Sequence, residues 1–75
     1  MKELVEYIAK SIVTVPEAVQ VTEEKIGDGL VFKLQVDPED RGRVIGKQGK
    51  VAESMRTLLR VVAIREGVRA RLEIV

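Results

Sequence analysis

Residues 41–50 read Arg41-Gly42-Arg43-Val44-Ile45-Gly46-Lys47-Gln48-Gly49-Lys50, a stretch holding four bases, three glycines and no acid. Gly46 and Gly49 stand with two residues between them, where the chain can turn sharply and bring its backbone close to a ligand with no Cβ in the way. What flanks this turn decides the fold. Before it, Asp37-Pro38-Glu39-Asp40 is a helix start: Asp37 can cap free amides, Pro38 suits the first helical position, and Glu39 and Asp40 favour the positive end of the dipole. The short helix that follows is expected to stop near Gly46. After the turn, Val51, Met55, Leu58, Leu59 and Val62 mark the apolar stripe of a longer helix that Gly67 is placed to end. The free amides of this second helix point at whatever sits on the turn, with Lys47 and Lys50 adding charge and Gln48 an amide. A phosphate is the natural guest, set against the plainer reading of an ordinary helix–helix turn.

Outward from this centre, Leu30, Phe32, Leu34 and Val36 alternate with Val31, Lys33 and Gln35, which predicts a strand with one apolar and one polar face. Ala18–Ile26 reads as a second strand, with Gly27-Asp28-Gly29 as the turn that joins the two into an antiparallel hairpin. Leu4, Val5, Ile8, Ile12 and Val15 recur at helical spacing and predict a helix over roughly the first 14 residues, ended by Pro16. Val68, Ala70, Leu72 and Ile74 alternate with Arg69, Arg71 and Glu73 as a closing strand. The order is αββααβ: a single two-layer α+β domain over residues 1–75, with a three-stranded mixed sheet and helices on one face. The strands that flank the two central helices are expected to be parallel.

Composition excludes several functions. No Cys and no His among 75 residues removes disulfides, thiolate nucleophiles, the usual general base and the commonest metal ligands. No metal or cofactor is implied, and Ser11 and Ser54 have no histidine to activate them. Glu23, Glu24, Asp28, Asp37, Glu39 and Asp40 fall at a strand end, a turn and a helix cap, where solvation and capping account for them. Neither GxxxxGK[ST] nor GxGxxG occurs, so an enzyme is the weakest reading. The opening MKELVEYIAK lacks a signal-like apolar core and no long apolar run follows, so the expectation is a cytoplasmic protein without a membrane segment. The net charge of +1 conceals an asymmetry: residues 1–40 carry 4 Lys and 9 acids, residues 41–75 carry 9 bases and 3 acids. Either a basic face awaits a polyanion, or the two halves pair across the fold.

Val44-Ile45-Gly46-Lys47-Gln48-Gly49, set between a short and a longer helix, resembles the signature loop of KH RNA-binding domains. The αββααβ order is similar to the type II, prokaryotic form of that fold over the whole chain. With the run RGRVIGKQGKVAESMR and this length, the chain resembles the small bacterial KhpA (YlqC) group. The resemblance implies a groove for about four single-stranded nucleotides, with Gly46, Lys47, Gln48 and Gly49 clamping the backbone. It puts Val44 and Ile45 on an apolar wall under the bases, Arg43 and Lys50 at the edge, and Arg41 and Arg56 further out. Many KH signatures carry a large aliphatic three positions after the second glycine; Ala52 stands there, which implies a shallower groove floor. The implied role is an RNA chaperone or post-transcriptional regulator.

Only Tyr7 and Phe32 could stack on bases, and Phe32 is expected in the core and Tyr7 half-buried on its helix. Weak stacking implies modest affinity, strong salt dependence and little sequence discrimination. Val61 and Ile64 fall away from the core stripe of the long helix, with Thr57 and Ser54 beside them, and an apolar pair there is either scattered surface or an interface. The resemblance implies a homodimer and a larger KH-containing partner of the Jag type (KhpB). The competing function is a protein–protein adaptor or dimerisation module on a KH fold with little direct RNA binding.

Overall fold

The alternating strand lies in the middle of the sheet. In the computed structural model, which describes residues 1–75, β2 (Gly29–Gln35) pairs antiparallel with β1 (Gln20–Ile26) and parallel with β3 (Arg69–Ile74). The parallel pairing is the one the two intervening helices required. α1 (Lys2–Ile12), α2 (Arg41–Ile45) and α3 (Lys50–Arg65) supply the second layer. Val21, Phe32, Leu34 and Leu72 share the inner face and meet Val5 and Ala9 of α1, Val44 of α2, and Met55 and Leu59 of α3 in one buried cluster. Phe32, as expected, has no exposed surface.

The outer face carries Glu24, Lys33, Arg71 and Glu73, with Lys33 Nζ 3.4 Å from Glu24 Oε2. Val31 sits on this polar face yet is buried, because its direct neighbours across the strands are Glu24 and Arg71, whose long stems flank it. β1 and β3 are the outer strands, so each leaves one backbone edge open. Gly29 pairs with Ile26, so the hairpin turn has two central residues, not three, with φ +62° at Gly27. α3 stops in a Schellman motif, Val68 N–H bonding to the Ala63 carbonyl and Gly67 N–H to that of Ile64, with φ +72° at Gly67.

Two expectations about helix faces are corrected. The buried residues of α3 are Ala52, Met55, Leu59 and Ala63, and Leu58 is 50% exposed, so the core stripe lies to one side of the one read from hydropathy. Tyr7 is not half-buried but 74% exposed.

α1 ends at Ile12, two residues short of the expected end near residue 14 and four before Pro16, and residues 16–18 form a 3₁₀ turn that reaches the position where the strand was expected to start. The cause is Asp40. Its carboxylate accepts from Thr14 N at 3.0 Å, Thr14 Oγ1 at 2.9 Å and Val15 N at 3.1 Å. It thus takes the amides that leave α1, and Val13 turns extended. Asp37 caps as expected, accepting from Glu39 N at 2.9 Å, and Pro38–Asp40 form a 3₁₀ turn leading into α2. Asp40 was expected to be a solvated acid at a helix cap, yet it has no exposed surface.

The Thr14 amide above all, with the Thr14 hydroxyl, the Val15 amide and the Arg43 charge, holds the Asp40 carboxyl below the ordinary aspartate range against the opposing cost of burial. A depressed folded-state value means that the stabilisation is whole above about pH 4 and is lost as pH falls through the lowered value. In urea unfolding over a pH series, Asp40→Asn is expected to be clearly less stable than the natural chain at neutral pH. The two midpoints should converge in acid, and a constant gap would assign the loss to something other than the charge.

Candidate nucleic-acid interface

The junction between α2 and α3 is built from glycine conformations. Gly46 adopts φ +77°, ψ 172° and donates its N–H to the Gly42 carbonyl at 2.8 Å, ending α2. A Cβ at this position would overlap the Val51 side chain and lie 2.8 Å from the Val51 amide nitrogen, so the backbone here rests directly on the first turn of α3. Gln48 and Gly49 follow in the left-handed region, at φ 59° and φ 75°, with the Gly49 N–H bonded to the Gly46 carbonyl at 3.1 Å. Only glycine takes these angles without cost, so Gln48 stores strain of the kind found at ligand-holding loops. No side chain caps α3, so the positive end of a 16-residue helix is presented at the loop.

Charge follows the same geometry. Lys47, Lys50, Arg41 and Arg60 are exposed and no acid lies within ion-pair distance of any of them. Pairing of the two halves across the fold is therefore not how the asymmetry is resolved. The one ion pair between them is local, Arg43 Nε to Asp40 Oδ1 at 3.6 Å, and it leaves the Arg43 side chain 60% exposed.

The sequence-expected residues separate into two sets. Gly46, Lys47, Gln48, Gly49, Lys50, Arg41 and Arg43 are gathered around the loop, and Ile45 keeps 38% of its surface beside it. Val44, expected on an apolar wall, has no exposed surface: it packs in the core cluster and anchors α2 there. Arg56 lies further along α3, where its Nε donates to the Leu72 carbonyl of β3 at 3.3 Å. Arg56, Leu59 and Arg60 form one wall of a concavity whose other wall is the open edge of β3 from Ala70 to Val75. Arg60 and this edge were not anticipated. The spacing of Arg56 and Arg60, one helical turn apart, was the signal available for them.

A third surface is apolar. Leu58, Val61 and Ile64 are 50%, 47% and 71% exposed on the outer side of α3. Beside them Ser54 Oγ donates to the Lys50 carbonyl and Thr57 Oγ1 to that of Glu53, at 2.9 and 3.0 Å. Both hydroxyls are turned back onto the helix, which leaves this side poorer in hydrogen-bonding groups than its sequence suggests.

Residues 2–74 match the family model described as KhpA/KhpB, KH domain. The chain belongs to the KhpA/KhpB KH-domain family. It is 48% identical over its full 75 residues to the RNA-binding protein KhpA of Clostridium perfringens, covering all of both chains. It is 45% identical over the same span to the KhpA proteins of Clostridium acetobutylicum and Listeria monocytogenes, covering 100% and 99% of those chains. Among solved structures, 97% of the chain superposes on Aquifex aeolicus Era with a TM-score of 0.68 at 24% identity, over 28% of that larger protein. That likeness speaks to the fold alone. In this KhpA/KhpB-family chain the two glycines are held by different physics, overlap at Gly46 and backbone angle alone at Gly49. Gly49→Ala should therefore cost about 1–2 kcal/mol in thermal or urea unfolding, and Gly46→Ala clearly more, since Val51 would have to move.

Proposed function

We propose that this protein binds single-stranded RNA without chemistry, holding the sugar-phosphate backbone on the Gly46-Lys47-Gln48-Gly49 loop and the bases in the groove between α3 and the open edge of β3. The observation that carries this reading is the loop itself: a strained, glycine-built turn at an uncapped helix start, ringed by Lys47, Lys50 and Arg41 with no acid to neutralise them. Membership of a family whose relatives are named RNA-binding proteins supports it, and the family is not enzymatic. Arg43 and Ile45 border the loop, and Arg56 and Arg60 continue the basic wall along the groove. With no aromatic platform there, phosphate contacts dominate the affinity, which suits an RNA chaperone or post-transcriptional regulator acting in the cytoplasm on many sequences.

Anisotropy of a labelled single-stranded RNA over a salt series tests the site. Binding should fall steeply with salt. It should be lost in a folded Lys47→Asp/Gln48→Asp variant, and in a milder Lys47→Ala variant the salt slope should be shallower by about 0.7 for the phosphate contact removed. Equal binding by both proteins would move the site off this loop.

The exposed Leu58, Val61 and Ile64 favour a second, compatible role as a dimer surface. An antiparallel copy of α3 would set Thr57 opposite Val61 and Glu53 opposite Arg65, a self-complementary arrangement for a two-fold pair. The same surface is open to a larger KH-containing protein of the Jag type (KhpB). Because α3 has the groove on one side and this surface on another, dimerisation leaves the loops free and supplies two of them to one RNA. Val61→Asp, at a site 47% exposed, is expected to give a folded monomer by sedimentation velocity where the natural chain gives a dimer. An unchanged sedimentation coefficient would rule this surface out.

A further inference from the structure

The groove does not end where Arg56 meets Leu72. α3 runs away from the loop and β3 returns toward it, so Arg60, one turn past Arg56, and Arg69, three residues before Leu72, lie beyond that bond on the side away from the glycines. A second concavity opens there, with Arg60 and Ala63 of α3 on one side and Arg69, Ala70 and Arg71 of β3 on the other. Arg60, Ala70 and Arg71 also line the groove, so the two are continuous. Arg69 and Arg71 stand opposite Gly29 and Val31 in the parallel register and therefore project from the outer face of the sheet, about 7 Å apart along the strand. That is close to the separation of successive phosphates in a single strand. Gly29 puts no side chain beside Arg69, where a Cβ would lie 3.6 Å from the Arg69 Cβ. Arg60, Arg69 and Arg71 are all exposed, and none has an acid within ion-pair distance or donates a side-chain hydrogen bond within the chain. Glu24, the acid across Val31 from Arg71, is engaged by Lys33 instead.

We propose that Arg60, Arg69 and Arg71 form a second phosphate site, which takes the RNA strand as it leaves the groove and turns it over the edge of β3 onto the outer face of the sheet. This inference rests on the RNA-binding reading of the groove and extends it past the roughly four nucleotides that a GxxG loop clamps. Guanidinium forks hold phosphate oxygens through paired N–H groups, and arginines without an internal acid have those groups to offer. Continuity with the groove favours RNA over an acidic peptide, because a strand already held at the loop delivers its next phosphates here. Alanines at 63 and 70 leave room between the arginines for a sugar-phosphate chain to approach.

Oligo(U) strands of about four and about twelve nucleotides separate the two sites, because only the longer can occupy both. The salt slope is the readout, since the extra registers open to a longer strand raise its affinity without changing its slope. By anisotropy over a salt series, the natural chain should give the longer strand a slope steeper by about 0.7 for each further phosphate held. Arg69→Gln, outside the groove, should leave the shorter strand's binding unchanged and take about 0.7 off the longer strand's slope, and adding Arg71→Gln should bring the reduction to about 1.4. Lys25→Gln removes one exposed charge on β1, at the opposite margin of the sheet, and should leave both slopes as they are. Circular dichroism melts confirm that the variants are folded. Equal slopes for the two strands in the natural chain, or a loss in Lys25→Gln as large as in Arg69→Gln, overturns the inference while leaving RNA binding in place. A steeper slope that survives Arg69→Gln/Arg71→Gln does the same, and assigns the extra contacts to the second loop of a dimer. Failure to bind either strand, or binding retained by Lys47→Asp/Gln48→Asp, overturns the groove reading itself and this inference with it.

Discussion

Asp40 is the only charged side chain taken fully out of water, and it stands where three parts of the chain meet. It receives the backbone leaving α1 through Thr14 and Val15, it belongs to the turn that starts α2, and it draws Arg43 of α2 toward it. A buried carboxylate is tolerated only when its oxygens are satisfied, and here they are met by three hydrogen bonds and a nearby cation. Remove that arrangement and two connections lose their fixed course together, the one from α1 to β1 and the one from β2 to α2. The loop at residues 46–49 has its position through α2, so a contact made on the far side of that helix determines where the glycines stand.

On the loop side the same economy is visible. Gly46 lies against Val51 closely enough to exclude any side chain, and Val44, two residues earlier, is buried in the core. With the two ends pinned, Gln48 can be kept in a left-handed conformation that a free chain would abandon. The backbone is therefore already shaped before a ligand arrives, and less ordering remains to be done on binding. Basic side chains contribute the opposite property. Lys47, Lys50, Arg41 and Arg60 are long, exposed and unpaired, suited to a polyanion whose exact path varies.

Much of this could be read from the chain, and the failures share a physical cause. The strand alternation from Leu30, the Asp37-Pro38 helix start and the stop at Gly67 are local, and all three hold. The glycine spacing at Gly46 and Gly49 likewise states its own geometry. Asp40 was misjudged because its partners lie 25 and 26 residues away, and nothing near it in sequence distinguishes it from a solvated cap. The early end of α1 is the same error seen from the other strand of the contact. The face of α3 was misplaced because two of its four buried residues are alanines, which carry little hydropathy, so Leu58 and Val62 drew the expected stripe away from the sheet. Val44 was assigned to a wall because an apolar pair beside a loop does not say which member faces inward. Arg56 could be seen as a base near the site, but its bond to a strand carbonyl 16 residues on could not.

The two open edges of the sheet have a bearing on how the protein behaves in a crowded solution. An unpaired strand edge is where a small β-sheet recruits foreign strands and begins to grow into fibrils. β1 carries Glu23, Glu24 and Lys25 in succession, so a second strand laid along it would meet charge on both faces. On the opposite side Arg56 and Arg60 overhang β3, and one of them occupies its central acceptor. A chain with 45% hydrophobic residues and no disulfide thus has its exposed backbone guarded at both margins. The arginine that lines the groove also keeps the sheet from lengthening.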